Sequence, residues 1–349
     1  TRKEIQSHII NSDEKTLDIN EYLHDQLPRK KNEDIAEVSN DKVRMVKALN
    51  RSYFECLQNN SVFIGEDIDD PYGGAFKVTK GFSSEYPERL ISSPISEAGI
   101  TGMGIGLSLM GKTTFVEIMF GDFSTHIFDQ LINNASKFYH MYAFQCNAPV
   151  RVRTPMGGKR GYGPTHSQSL EKLFLGIDNL LVVSLSSLED PKIVINEVQN
   201  HKCPALIIEN KVDYGKILFQ DSDYLKIEKI GGPLGIIRAY PVDMEPNIAI
   251  VSYGGTAREL VDSAIEIFKE TDLMPEIFCL TMLHPLNIEP IIKSLRENKK
   301  DLFIVEDHSS DFGIGSEIIS KIHDSDVNTR CYKIGSEPYP IPSVRSLED

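Results

Sequence analysis

The chain has 349 residues, more than one hydrophobic core usually organises, so two domains of roughly 100–200 residues each are expected. A formal net charge of −14 excludes the clustered basic surface that nucleic acid demands and mainly serves solubility. The 5 cysteines (Cys56, Cys146, Cys203, Cys279, Cys331) are odd in number and form no CxxC, so they suggest neither a disulfide framework nor a zinc site, and a reducing cytoplasmic setting fits best. No apolar run reaches the roughly 18 residues of a membrane span, and the polar start is unlike a signal peptide. Because the chain starts at Thr1 without a methionine, it is expected to be a processed product or an excised piece.

Residues 1–40 mix apolar residues with charges around Pro28 and Arg29-Lys30-Lys31, and read as an extension or linker rather than a domain. From Val43 to Leu57 apolar residues recur at helical spacing, and "SVFIGED" then reads as a buried strand ending in acids. The runs "TTFVEIMF", "PVRVRTP", "LLVVSL" and "PALIIEN" are short and β-branched, with room for helices between several of them. Such alternation predicts an α/β fold with a mostly parallel sheet covered on both faces. The pattern breaks near residues 216–231, read as a linker, and a second α/β set follows over 232–349: "NIAIVSYGG", "TARELVDSAIEIFKE", "PEIFCLTML", "IEPIIKSLREN", "DLFIVEDH" and "GIGSEIISKIHD".

Two stretches carry candidate chemistry. In "SPISEAGITGMGIG" one carboxylate, Glu97, opens a run of glycines. Gly102, Gly104 and Gly106 each cost a helix roughly 0.5–1 kcal/mol relative to alanine, so their presence implies close approach of a backbone or ligand. An acid in such surroundings is suited to sharing a proton, since an apolar pocket disfavours its charged form. The plainer alternative is an acid in the first helical turn, stabilised there by the helix dipole. The second stretch, "RTPMGGKRGYGPTHSQSLEKLF", reads as a glycine-rich loop leading into a helix at "LEKLF". His166 at its rim could act on a substrate, or it could serve with Ser167 and Ser169 as a helix cap. A Ser/His hydrolase lacks its G-x-S-x-G elbow.

"GLSLMGKT", Gly106 to Thr113, satisfies the phosphate-loop pattern, which suggests a nucleotide hydrolase. That pattern works only where a strand feeds the loop and a helix follows. Here a helix is expected before it and a strand after it.

Taken in order, "GEDIDDPYGGAFKVTKGF", "SPISEAGITGMGIGLSL", "VEIMFGDF", "FDQLINNASKF" and the His166 loop resemble the β subunit of thiamine-diphosphate-dependent 2-oxoacid dehydrogenases, the decarboxylating first component of the pyruvate and branched-chain complexes. The resemblance runs from about Lys42 to Ser343 and implies a transketolase-like pyrimidine-binding domain over 41–215 and a transketolase C-terminal-like domain beyond the linker. It implies that Glu97 bonds the aminopyrimidine of thiamine diphosphate and drives its tautomerisation. Ile95, Met119 and Phe123 would line the pyrimidine pocket, and His166 would face the 2-oxoacid or the lipoyl group of an acyltransferase. Met119 and Phe123 depart from the glutamine and tyrosine of many branched-chain relatives, towards the pyruvate type. The magnesium and diphosphate ligands of a GDG motif are missing, which implies an α subunit or fused α half as partner, with a second β copy in the assembly. The wording "HSQSLEKLFLGI" and the linker-like residues 1–40 resemble the β half of fused chains. Some relatives bind potassium through the stretch aligned with "EVQNHKCP", but their Asp and Asn positions read His201 and Cys203 here, which puts that site in question. A transketolase or deoxyxylulose-phosphate synthase lacks the "GGAFKVTKG" and "GPTHSQS" wording, and a non-catalytic scaffold would not need Glu97 and His166.

Overall fold

The computed structural model describes residues 42–348, so the expectation for residues 1–40 lies outside the described residues. The first strands are β1 (Val62–Gly65), β2 (Leu90–Ser92), β3 (Thr114–Glu117), β4 (Arg151–Met156), β5 (Leu181–Ser184) and β6 (Ala205–Asn210). They are followed by β7 (Leu225–Ile230), β8 (Ile236–Pro241), β9 (Ile248–Tyr253), β10 (Pro275–Leu280), β11 (Met282–His284), β12 (Asp301–Val305) and β13 (Cys331–Ile334). Two sheets result, in the orders β11-β5-β6-β4-β3-β1-β2 and β13-β12-β9-β10-β8-β7. β1 to β6 pair in parallel, as do β9, β10, β12 and β13, whereas β7, β8 and β11 join antiparallel. The α/β expectation is met.

Parallel strands buried on both faces explain why runs such as β1, β5 and β9 are almost continuously apolar rather than alternating. Phe63, Phe115, Val183 and Ile207 belong to the core on one face of the first sheet, with Leu49, Tyr53 and Leu57 of helix Met45–Gln58. Ile64, Val116, Val152, Val182 and Leu206 belong to the core on the other, which continues through Val251, Phe278 and Ile304 into the second sheet. Within the first core, Arg153 of β4 pairs with Glu117 of β3 and Glu209 of β6, and Tyr53 and Tyr214 also donate to Glu209, at 2.9 and 2.7 Å. The buried guanidinium is thus matched by two carboxylates and the carboxylate of Glu209 by two further donors, which is the condition for tolerating charge in a core.

Three expectations are corrected. The stretch 216–231 is not only a linker, because β7 sits at the edge of the second sheet, paired residue for residue with β8. "LEKLF" forms only the short 3-10 turn Glu171–Leu173: Glu171 is drawn inward to Tyr253 and His308, and Gly176 at φ +80° turns the chain away. Of Gly102, Gly104 and Gly106 in helix Glu97–Leu109, Gly104 is the one this chain requires, since a Cβ there would come within 2.4 Å of Val116 Cγ2, whereas Gly102 and Gly106 have nothing within 4 Å. The phosphate-loop match is also settled by geometry. Its glycine, Gly111, ends a helix at φ +80° and a strand follows, so no helix N-terminus faces the loop.

Candidate active site

Glu97 is the first residue of helix Glu97–Leu109, where the dipole favours a carboxylate, and its side chain is buried. Among the described residues nothing donates a hydrogen bond to it; its one partner is His126, whose Nδ1 lies 3.5 Å from Glu97 Oε2. His126 belongs to the 3-10 turn Gly121–Ile127, which also carries Phe123. The Phe123 ring lies 6.2 Å from the His126 ring and 5.3 Å from the His166 ring, centroid to centroid. Phe120 closes the group, 4.9 Å from His166 and edge-on to it. Glu97, Phe123 and His166, far apart in sequence, are therefore joined in one chain of contacts through His126. Ile95, two residues before Glu97, is 82% exposed, so any wall it forms is open on this chain's side. Met119 is half-buried just past β3.

The His166 loop is held from three directions. Asp122 Oδ1 accepts from Gln168 Nε2 at 2.8 Å, joining the loop to the Phe123 turn. Lys211 Nζ donates to the carbonyl of His166 and lies 5.3 Å from the Phe120 ring centroid. Burial pulls the Lys211 ammonium down to about 8, with Asp122, Asp307 and Glu348 opposing that fall. On the far side Ser169 Oγ donates to Asp307 Oδ2 at 2.7 Å, Lys172 Nζ donates to the carbonyl of Asp311 at 3.0 Å, and Glu171 accepts from the Tyr253 hydroxyl at 2.6 Å. Ser169 thus spans to the second sheet's loops instead of capping a helix.

Sequence reasoning passed over His126, Asp122, Lys211 and Glu66. His126 stands 29 residues from Glu97, a pairing no local spacing announces. Glu66 follows β1, and its carboxyl is raised by burial and by the charge of Glu97; its Oε1 is buried without a partner.

The chemistry of these residues suits the flat aminopyrimidine of thiamine diphosphate. Glu97 offers carboxylate oxygens that accept no hydrogen bond among the described residues, Glu66 offers an orphaned acceptor whose charge interacts with it, and Phe123 offers a ring face or edge.

The family description "Transketolase, pyrimidine binding domain" matches residues 41–216, and "Transketolase, C-terminal domain" matches 239–348. A protein of Gracilaria tenuistipitata var. liui named pyruvate dehydrogenase E1 component subunit beta is 31% identical over 312 residues, 88% of this chain and 94% of its own. The mitochondrial subunit beta of Bos taurus is 29% identical over 88% of this chain and 86% of its own. A solved structure titled as a split gene transketolase, inactive beta4 tetramer, shares the fold at a TM-score of 0.64 and 18% identity, covering 86% of this chain and 91% of its own. A helix-opening acid, an aromatic turn and a histidine loop gathered over a parallel sheet agree with these matches, and the chain belongs to the family of β subunits of thiamine-diphosphate-dependent 2-oxoacid dehydrogenase first components.

Proposed function

We propose that this chain supplies the pyrimidine-facing half of a split thiamine-diphosphate site, completed by an α subunit or α half that holds magnesium and the diphosphate. The observation that carries this reading is the buried Glu97 carboxylate, which accepts no hydrogen bond among the described residues and lies beside His126 on the turn that carries Phe123. When bound, thiamine diphosphate supplies the carbon nucleophile and electron sink for decarboxylating a 2-oxoacid. Glu97 holds and returns one proton at the pyrimidine ring nitrogen. Phe123, Met119 and Ile95 pack the ring and exclude water, and the partner surface closes the side on which Ile95 is open. His166, fixed through its own carbonyl by Lys211, presents its imidazole to the 2-oxoacid and then to the lipoyl group of an acyltransferase. The names of the relatives support pyruvate as the 2-oxoacid and a second β copy in the assembly follows from the family resemblance.

The test is Glu97→Gln, nearly unchanged in volume, reconstituted with the α partner and assayed for decarboxylation with an artificial electron acceptor. Turnover falls by roughly 10²- to 10⁴-fold, as for a lost acid-base group, while assembly persists. A merely structural acid would instead cost about 0.3–1 kcal/mol of stability and leave turnover alone. Near-normal turnover in a well-folded assembly sinks the assignment.

A further inference from the structure

Arg151, the first residue of β4, is 3% exposed, yet among the described residues no carboxylate pairs with it. Its guanidinium donates only to backbone carbonyls. Nε donates to the carbonyl of Val198 at 3.1 Å, Nη2 donates to those of Gln199 at 2.7 Å and of His201, and Nη1 donates to that of Pro149. Val198 and Gln199 belong to the last turn of helix Lys192–Asn200, which carries no basic residue of its own. Helix-end carbonyls lack intrahelical partners and sit at the negative end of the dipole, so the position calls for a cation. A planar fork of five N–H groups meets several carbonyls at once, which a compact ammonium would not.

The residues around this carbonyl cluster do not fit a bound potassium ion. Hard cations take oxygen ligands, but the clustered carbonyl oxygens here already accept from the guanidinium, and the side chains flanking the helix end, an imidazole and a thiol, add no oxygen. Burial, reinforced by the Arg151 charge, pushes His201 down to about 4, and burial pushes Cys203 up to about 12, so both are uncharged at neutral pH. His201 Nδ1 already accepts from the Cys203 amide at 3.2 Å, and Cys203 Sγ donates to Asn179 Oδ1 at 2.8 Å. Burial lowers Arg151 only to about 10, which leaves it charged, and a second cation beside it would meet like charge in a dry interior.

We propose that Arg151 is a tethered internal cation standing where relatives bind potassium, so that folding and assembly of this chain do not depend on potassium. It ties the entry of β4 to the end of helix Lys192–Asn200 by a covalent arm instead of an exchangeable ion. The test is thermal melting of the full chain, alone and with its α partner, in potassium chloride and in tetramethylammonium chloride at equal ionic strength. The natural chain melts alike in both. Arg151→Ala melts lower, by roughly 5 °C or more, and recovers part of the loss in potassium or in dilute guanidinium. Arg151→Lys, keeping a charge on a shorter reach, lies between the two in either salt. If Arg151→Ala fails to fold while Arg151→Lys folds in both salts, the tethered charge is again supported. A potassium-specific rise in the melting point of the natural chain overturns the proposal, and so does an Arg151→Ala chain as stable as the natural one in tetramethylammonium.

Discussion

His308 Nε2 lies 3.1 Å from Glu171 Oε1, an ion pair that fastens the loop after β12 to the turn directly behind His166. Glu306 Oε2 is 3.4 Å from the same nitrogen, and the Tyr253 hydroxyl 3.2 Å, so the imidazolium is surrounded by acceptors. Burial alone would pull His308 down, but the hydrogen bond and charge of Glu171, with help from the Ser309 carbonyl and Glu306, carry it above its ordinary value. Glu171, for which burial works in the opposite sense, ends below its ordinary value through the same partner.

The signs give a pH profile. The His308 contribution is fully present below its unfolded value near 6.5 and is lost as pH rises through the raised folded value. The Glu171 contribution is present above about 4.5 and is lost as pH falls through the lowered folded value. His308→Gln is expected to cost about 1–3 kcal/mol at pH 6 and much less at pH 8. Melting curves of both chains across that range check it, and a loss that is the same at every pH counts against the charged pair.

Lys211 carries the opposite slope. Its folded value near 8 lies below the ordinary 10.5, so between those values the unfolded chain holds the proton more tightly and stability rises with pH. Replacing it, Lys211→Met, should remove a rise of up to about 3 kcal/mol over that window, read as the difference between the two denaturation series. In the reconstituted enzyme the same change frees the His166 carbonyl, and turnover is expected to fall by about 10-fold while the melting point at pH 7 holds or rises.

The glycines of helix Glu97–Leu109 divide into two kinds. Gly104→Ala places a methyl against Val116 and Val150 and is expected to cost about 1–3 kcal/mol. Gly102→Ala and Gly106→Ala have open space in this chain and should stabilise it by about 0.5–1 kcal/mol through helix propensity. Urea denaturation of the three variants separates them, and equal effects at all three would contradict the packing described.

Calorimetric titration of the chain without an α partner should give weak or no binding of thiamine diphosphate, because the pyrimidine face alone buries little of it. Micromolar or tighter binding by this chain alone counts against the split site.

How much of this was legible beforehand follows from the physics of each signal. The buried strands were readable because β1 and β9 are apolar over nearly whole runs, and helix Gly254–Thr271 because its apolar residues recur at helical spacing. β7 was hidden, since its edge position leaves "LKIEKI" alternating with charge, a texture shared with linkers. Glu97 and His166 stood out through the wording around them. His126 and Lys211 did not, because each takes its role from a contact across the fold, the first with Glu97 and the second with the backbone of His166.

β11 gives the two-domain division a further meaning. It comes from the C-terminal half, yet it pairs Met282 with Val183 and His284 with Val182 on the first sheet. The family match that ends at residue 216 therefore does not mark where the first sheet is complete. A fragment cut there would keep Glu97, Phe123 and His166 while leaving β5 with a bare edge of amides and carbonyls. Such an edge recruits a strand from a neighbouring copy, so the severed piece would trade its missing partner for self-association.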